Sequence, residues 1–182
     1  PVEGTSLLAN GRPDAISVVG VAPRGSTWAA GPAYYMNKLV VGAEARDAIT
    51  PASLGAPVAN TLAAIAIAKR KPIDELTVFI LDKPRHAGLI AQVRATGARV
   101  LLRTDGDVAG ALMAATPNSG VDLLLGIGGT PEGVIAACAV RALGGAMLGQ
   151  LAPQKLAERD AVLEAGIDLD HVLCETDLVR SD

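Results

Sequence analysis

A layered α/β fold, with helices laid on a sheet, is what this sequence predicts, and three observations predict it. Half of the 182 residues are hydrophobic but only 2% are aromatic, so the core must be built from Ala, Val, Leu and Ile, which let helices lie close on a sheet. From residue 77 onward, short apolar runs recur about every 22 residues, each followed by a polar loop and a helical stretch. Glycines stand where helix C-caps belong, at positions 97 and 144. The length suits one ordinary domain or most of one.

The elements follow in order. Ala15 to Ala22, "AISVVGVA", is Val- and Ile-rich and of strand length, and loop composition follows it. In "YYMNKLVVG" the run Leu39 to Val41 suits a buried strand. Pro57 to Lys69 reads as a helix, with proline in the first turn, Val58, Leu62 and Ile65 on one face, and "KRKP" closing it. Then come strands at Thr77 to Leu81, Ala98 to Leu102 and Val121 to Leu125, and helices at His86 to Thr96, Val108 to Ala115 and Glu132 to Leu143. Strand and helix units of this length predict a parallel sheet with right-handed crossovers. A charged helix from Gln154 to Ala165 ends at Gly166, and no further element is evident before "VRSD".

Composition excludes several classes. Sixteen cations against nineteen anions, without a long run of either, argue against a nucleic-acid groove. Cys138 and Cys174 have neither CxxC spacing nor nearby histidines, which speaks against zinc and a disulfide scaffold and for a reducing cytoplasm. No apolar run reaches the roughly 18 residues of a membrane span. The chain opens on Pro1, so it is expected to be processed or part of a longer protein.

In an open parallel sheet, ligands bind beyond the carboxyl ends of the strands, so three loops belong together: "DKPRH", "RTDGDV" and "GIGGTPEG". Pro84 biases Lys83 toward extended backbone, which would point Lys83 and Arg85 the same way as a phosphate clamp; a solvated basic pair is the plain alternative. Asp105 and Asp107 flank a glycine and could accept from sugar hydroxyls or hold a divalent cation, or they could be turn residues with Asp107 as an N-cap. Four glycines in eight residues would let backbone approach a ligand, and Pro131 starts a helix with Glu132 in its first turn. That stretch is neither GxGxxG nor a Walker loop. Cations, carboxylates and glycines on one edge suit a phosphorylated polyol better than a nucleotide, since no stacking aromatic is offered.

Other residues carry less. His86 reads as the start of its helix, Tyr35 as a hydroxyl donor to a phosphate or a buried aromatic, and Cys138 as core packing. Glu44, Arg46 and Asp47, like Glu158 to Asp160, read as solvated faces.

Taken together, "VEGT", "YYMNKLVVG", "LDKPRH", "DGDVAGA", "GVDLLLGIGGTPEGVIAACAVRALGG" and "DLVRSD", in this order, resemble the bacterial class II fructose-1,6-bisphosphatases of the lithium-sensitive sugar-phosphatase superfamily. The resemblance implies the layered sugar-phosphatase fold, an α/β sandwich, here mainly its C-terminal sheet with flanking helices. It implies that residues 1–42 are the remainder of an N-terminal phosphatase domain and residues 43–182 a C-terminal α/β substrate-binding domain. An N-terminal segment and a C-terminal tail of the same protein would be missing, among them the aspartate that precedes Pro1 in the family's loop. That loop binds metal through its acids and cradles phosphate on its backbone.

Position by position, the resemblance implies Glu3 and Glu132 as ligands of Mg²⁺ or Mn²⁺, with Glu3 and Thr5 catalytic and Thr5 orienting the attacking water. Gly4, Thr5, Tyr35, Lys83 and Arg85 would hold phosphate, Asp105 and Asp107 would accept from sugar hydroxyls, and Gly129 would meet the ligand through its backbone. The implied reaction is metal-assisted removal of the 1-phosphate of fructose 1,6-bisphosphate in gluconeogenesis. A hydroxyl is too weak a base to act alone, so Thr5 would need metals or a carboxylate. A cytoplasmic homo-oligomer with a small sugar bisphosphate as partner is expected, with neither nucleic acid nor membrane. Alternatives are a dual fructose and sedoheptulose bisphosphatase, a sugar-phosphate binding module without chemistry, and a generic nucleotide-binding domain.

Overall fold

The computed structural model describes residues 2–13 and 15–180. Pro1 and the last two residues of the "DLVRSD" motif lie outside the described residues. The layered α/β expectation is met. A six-stranded sheet holds β3 (Tyr35–Val41), β4 (Thr77–Leu81), β5 (Arg99–Arg103), β6 (Leu123–Gly129), β7 (Ala146–Leu151) and β8 (Val172–Cys174) in the order β5-β4-β6-β3-β7-β8. A separate two-residue ladder pairs β1 (Val2–Glu3) with β2 (Ile16–Ser17).

Alternation along the strands makes the two layers. Met36, Val40, Phe79, Leu124 and Met147 face one side, where they meet Ala111 and Ala114 of α4 (Asp107–Ala115) and Ala136, Ala137 and Val140 of α5 (Thr130–Ala142). Leu39, Val41, Val78, Ile80 and Leu123 face the other, against Leu62 and Ile65 of α2 (Val58–Lys69) and Ile90 and Val93 of α3 (Ala87–Ala95). Successive side chains of a strand point to opposite faces, so each strand serves both layers. Alanines and Gly110 on α4 let helix backbone approach the sheet closely; a Cβ at Gly110 would stand 2.5 Å from the Phe79 ring.

The sheet corrects the all-parallel expectation. β4 pairs in parallel with β5 and β6, but β3 is inserted antiparallel between β6 and β7, and β8 is antiparallel to β7. The connection β6-α5-β7 therefore steps over one strand, which local sequence cannot reveal. β3 also ends at residue 41, directly before the expected domain boundary, while hydrogen-bonded between later strands.

Other elements depart from expectation too. Of Ala15 to Ala22, only Ile16 and Ser17 are strand, and Val19 and Val21 are 83% and 89% exposed. β-branched residues without a neighbouring strand have no ladder to join. The sequence missed α1 (Thr5–Ala9), β7, β8 and α7 (Glu175–Leu178), because each is short or lacks clear periodicity. The charged helix is α6 (Leu156–Glu164). Gly97 and Gly144 do end helices, with φ of 88° and 72°. Among the described residues, no helix is long and apolar enough to cross a membrane.

Candidate active site

α3 leaves β4 toward one face of the sheet, and α4 leaves β5 toward the other. The chain therefore opens a crevice at the carboxyl ends of β4, β5 and β6, as topological switch points do. Because β3 runs the opposite way, its first residue reaches the same edge, with Tyr35 opposite Gly129. A cavity of about 440 Å³ lies there. It is lined by Glu3, Gly4, Thr5, Tyr35, Lys83, Arg85, Asp105, Asp107, Gly129 and Glu132, the complete set of candidates from the sequence.

The loop after β4 is not extended as expected. Lys83 is extended, but Pro84–His86 form one turn of 3₁₀ helix, which proline's fixed φ favours. Lys83 and Arg85 nevertheless reach the same cavity. Lys83 Nζ donates to Asp105 Oδ1 at 2.9 Å, and Arg85 donates twice to the Ile127 carbonyl, at 3.1 and 2.8 Å, with its guanidinium 5.3 Å from the Tyr35 ring centroid. Tyr35 thus supports Arg85 by a cation–π contact. Burial would raise the Asp105 carboxyl, but hydrogen bonds from Lys83 and Ser6 outweigh it and hold it below the ordinary range. Its Oδ2 is buried without a partner among the described residues.

The β5–α4 turn carries a carboxyl pair. Gly106, at φ 100°, is the N-cap of α4, so Asp107 is its first helical residue and not the cap. Glu3 supplies that cap from a remote strand: its Oε1 accepts from Val108 N at 2.6 Å and its Oε2 from Ala109 N at 3.2 Å. Asp107 is buried and accepts from Lys38 Nζ at 2.5 Å. Burial works against its ionisation, yet the Lys38 charge and the hydrogen bonds from Glu3 and Lys38 lower its pKa. Glu3 goes the other way. Burial first, and then the bond to Asp107, push it up to about 8. The two neighbouring carboxyls are thus pushed apart in acidity, Glu3 upward and Asp107 downward.

The glycines in the second half of β6 have a role the sequence did not suggest. A Cβ at Gly128 would collide with the Asp107 carboxylate, one at Gly129 with the Glu132 carboxylate, and one at Gly126 would lie 2.9 Å from His86 Nε2. The space beside each of these backbone atoms is taken by a protein side chain. Glycine there seats the Asp107 and Glu132 carboxylates and the His86 ring against the strand, whether or not a ligand also approaches.

A divalent cation needs several oxygen donors. Among the described residues, no three His, Cys, Asp or Glu side chains come together as a cation site. Both oxygens of Glu3 are engaged by α4, and Asp107 by Lys38. Among the described residues, the donors do not make up a metal cage by themselves.

Sequence reasoning missed three residues around the site. Lys38, on β3, is 1% exposed and reads as an ordinary polar residue of a strand. His86 is also buried, with Nδ1 2.7 Å from the Leu81 carbonyl and Nε2 accepting from Ile127 N at 2.8 Å, so it ties the loop after β4 to β6. Glu158, expected on a solvated face, is buried and accepts from the backbone N–H groups of Tyr34, Tyr35 and Gln154. It anchors the start of β3 from the first turn of α6. A larger cavity of about 750 Å³ adjoins the site through Tyr35, Gly129 and Glu132, but Pro32, Ala157 and Ala161 are among its walls, and the charged groups concentrate in the smaller one.

The architecture is consistent with the layered α/β sugar-phosphatase fold. The chain belongs to the family described as bacterial fructose-1,6-bisphosphatase, glpX-encoded, which matches residues 1–182. It is 40% identical over 195 aligned positions to fructose-1,6-bisphosphatase class 2 of Haemophilus influenzae, and 41% identical over 198 to fructose-1,6-bisphosphatase 1 class 2 of Escherichia coli K12. Each alignment takes in 100% of this chain and 57% of the relative.

Proposed function

We propose that the whole protein hydrolyses the 1-phosphate of fructose 1,6-bisphosphate, giving fructose 6-phosphate and phosphate, with Mg²⁺ or Mn²⁺, as a step of gluconeogenesis in the cytoplasm. The observation that carries this reading is the convergence of Glu3-Gly4-Thr5, the Lys83 and Arg85 cations and the Asp105 and Asp107 carboxylates on one 440 Å³ cavity in a member of this family. Lys83 and Arg85 grip the phosphate that stays, fixing the register of the one that leaves. Asp105 and Asp107 accept from sugar hydroxyls, with Lys38 keeping Asp107 charged. Thr5, at the cavity wall, orients the attacking water. Glu3 and Glu132 contribute to the metal site, whose remaining carboxylates come from parts of the whole protein outside residues 1–182. The same parts would cover the exposed Val19 and Val21.

Phosphate release by the whole protein, with Mg²⁺ or Mn²⁺ and again after chelation, is the test. Turnover that survives complete chelation refutes the metal-dependent reading. Calorimetric binding of the sugar bisphosphate with no hydrolysis under any metal leaves a binding module instead. Competing-substrate kinetics decide whether sedoheptulose bisphosphate is also taken, and sedimentation reads the homo-oligomer we expect.

A further inference from the structure

We propose that Lys38 is a positioning residue for the substrate cavity, and that its ammonium holds the two ligand-facing turns in register. Nζ donates to Asp107 Oδ2, at the start of α4 after the β5–α4 turn, at 2.5 Å and to the Gly129 carbonyl, at the β6–α5 junction, at 2.6 Å. They belong to different βα units, and although α4 also packs on β6 and α5, Lys38 is the side chain that hydrogen-bonds both ends at once. One buried cation therefore sets the distance between an acceptor for sugar hydroxyls and a backbone group at the ligand. The inference rests on the functional reading above for the identity of the ligand.

Packing alone gives no reason for a lysine here. Lys38 lies on the same face of β3 as Met36 and Val40, which are buried in the apolar layer with α5. A methionine would fill that space without desolvating a charge, and replacing buried ion pairs by apolar groups is often neutral or stabilising. The surroundings are instead shaped around the cation. Lys38 stands opposite Gly126 on β6 and Gly149 on β7. A Cβ at Gly133 would come within 3.1 Å of its Cε, and one at Gly128 within 3.2 Å of its Nζ. Gly128 and Gly133 thus leave room for the charged side chain, while the space beside Gly126 and Gly149 is taken by His86 and Met36.

The test uses the whole protein with Lys38→Met, Asp107→Asn and the double variant, each shown folded by its thermal unfolding midpoint. The expected result is a rise in KM for fructose 1,6-bisphosphate of about tenfold or more in Lys38→Met, the scale of a charge-assisted hydrogen bond, with a smaller change in kcat. The double variant should show a KM well below the product of the two single effects, because Lys38 acts through Asp107. If Lys38→Met does not fold, Lys38→Gln, which keeps N–H donors without the charge, takes its place. A folded variant with unchanged KM, or fully multiplicative effects, overturns the inference. Absence of turnover in the unsubstituted protein refutes the functional reading alone, and the Lys38 comparison is then made on calorimetric Kd for the same ligand.

Discussion

Lys83→Ala offers the sharpest prediction, because the ion pair in the cavity sets its size. Lys83 and Asp105 are 2.9 Å apart with side chains 32% and 21% exposed, so solvent screens the pair and its own contribution to stability is about 0–1 kcal/mol. The variant should therefore fold with little change. Binding is different. Losing a charged donor to phosphate costs about 1.5–3 kcal/mol, or roughly ten- to hundredfold in KM. The removal also leaves the Asp105 carboxylate, whose Oδ2 is buried without a partner among the described residues, facing a dianionic phosphate group without its ion-pair partner. Its repulsion places the effect toward the upper end of that range. Adding Asp105→Asn removes the charge while an amide oxygen still accepts from a sugar hydroxyl, so the double variant should recover part of the lost affinity. Steady-state phosphate release by the whole protein, with thermal midpoints as a control, reads both. A KM within threefold of the unsubstituted protein, or a double variant weaker than the single, refutes the assignment of Lys83 to the phosphate.

Two further predictions concern the fold around the site. His86 is held neutral: burial lowers its pKa below 6.5, and Arg85 and Lys83 act the same way, against the bond to Leu81. Between its folded pKa and 6.5 the unfolded chain binds the proton first, so this contribution to stability is present above about pH 6.5 and is lost as pH falls. Urea denaturation across pH 5 to 7.5 should show that component in the unsubstituted protein and not in His86→Ala, which is less stable throughout; identical pH slopes refute it. Gly110→Ala should destabilise by about 1–3 kcal/mol through overpacking, since its Cβ would lie 2.5 Å from two Phe79 ring atoms and 2.8 Å from a third; an unchanged denaturation midpoint would show that the ring moves aside freely.

What the sequence by itself determined was local. Apolar runs bounded by glycine marked the β4 to β6 units and their helices, because strand length, helical periodicity and left-handed glycine caps are properties of a few adjacent residues. From the rule that ligands meet the carboxyl ends of parallel strands, Lys83, Arg85, Asp105, Asp107, Gly129 and Glu132 could be assigned to one edge without coordinates. The tertiary structure alone decided that β3 enters antiparallel between β6 and β7, which brings Tyr35 to that edge and Lys38 beneath it. It also decided that Glu3 caps α4 across 105 positions of chain, and that Glu158, apparently one more charge on a polar helix, turns inward to hold β3. These depend on which strand lies beside which, and on the low dielectric created when they close together. A buried lysine on Asp107 and a glutamate carboxyl pushed upward owe these features to neighbours that are distant in sequence, so no window of residues could have announced them.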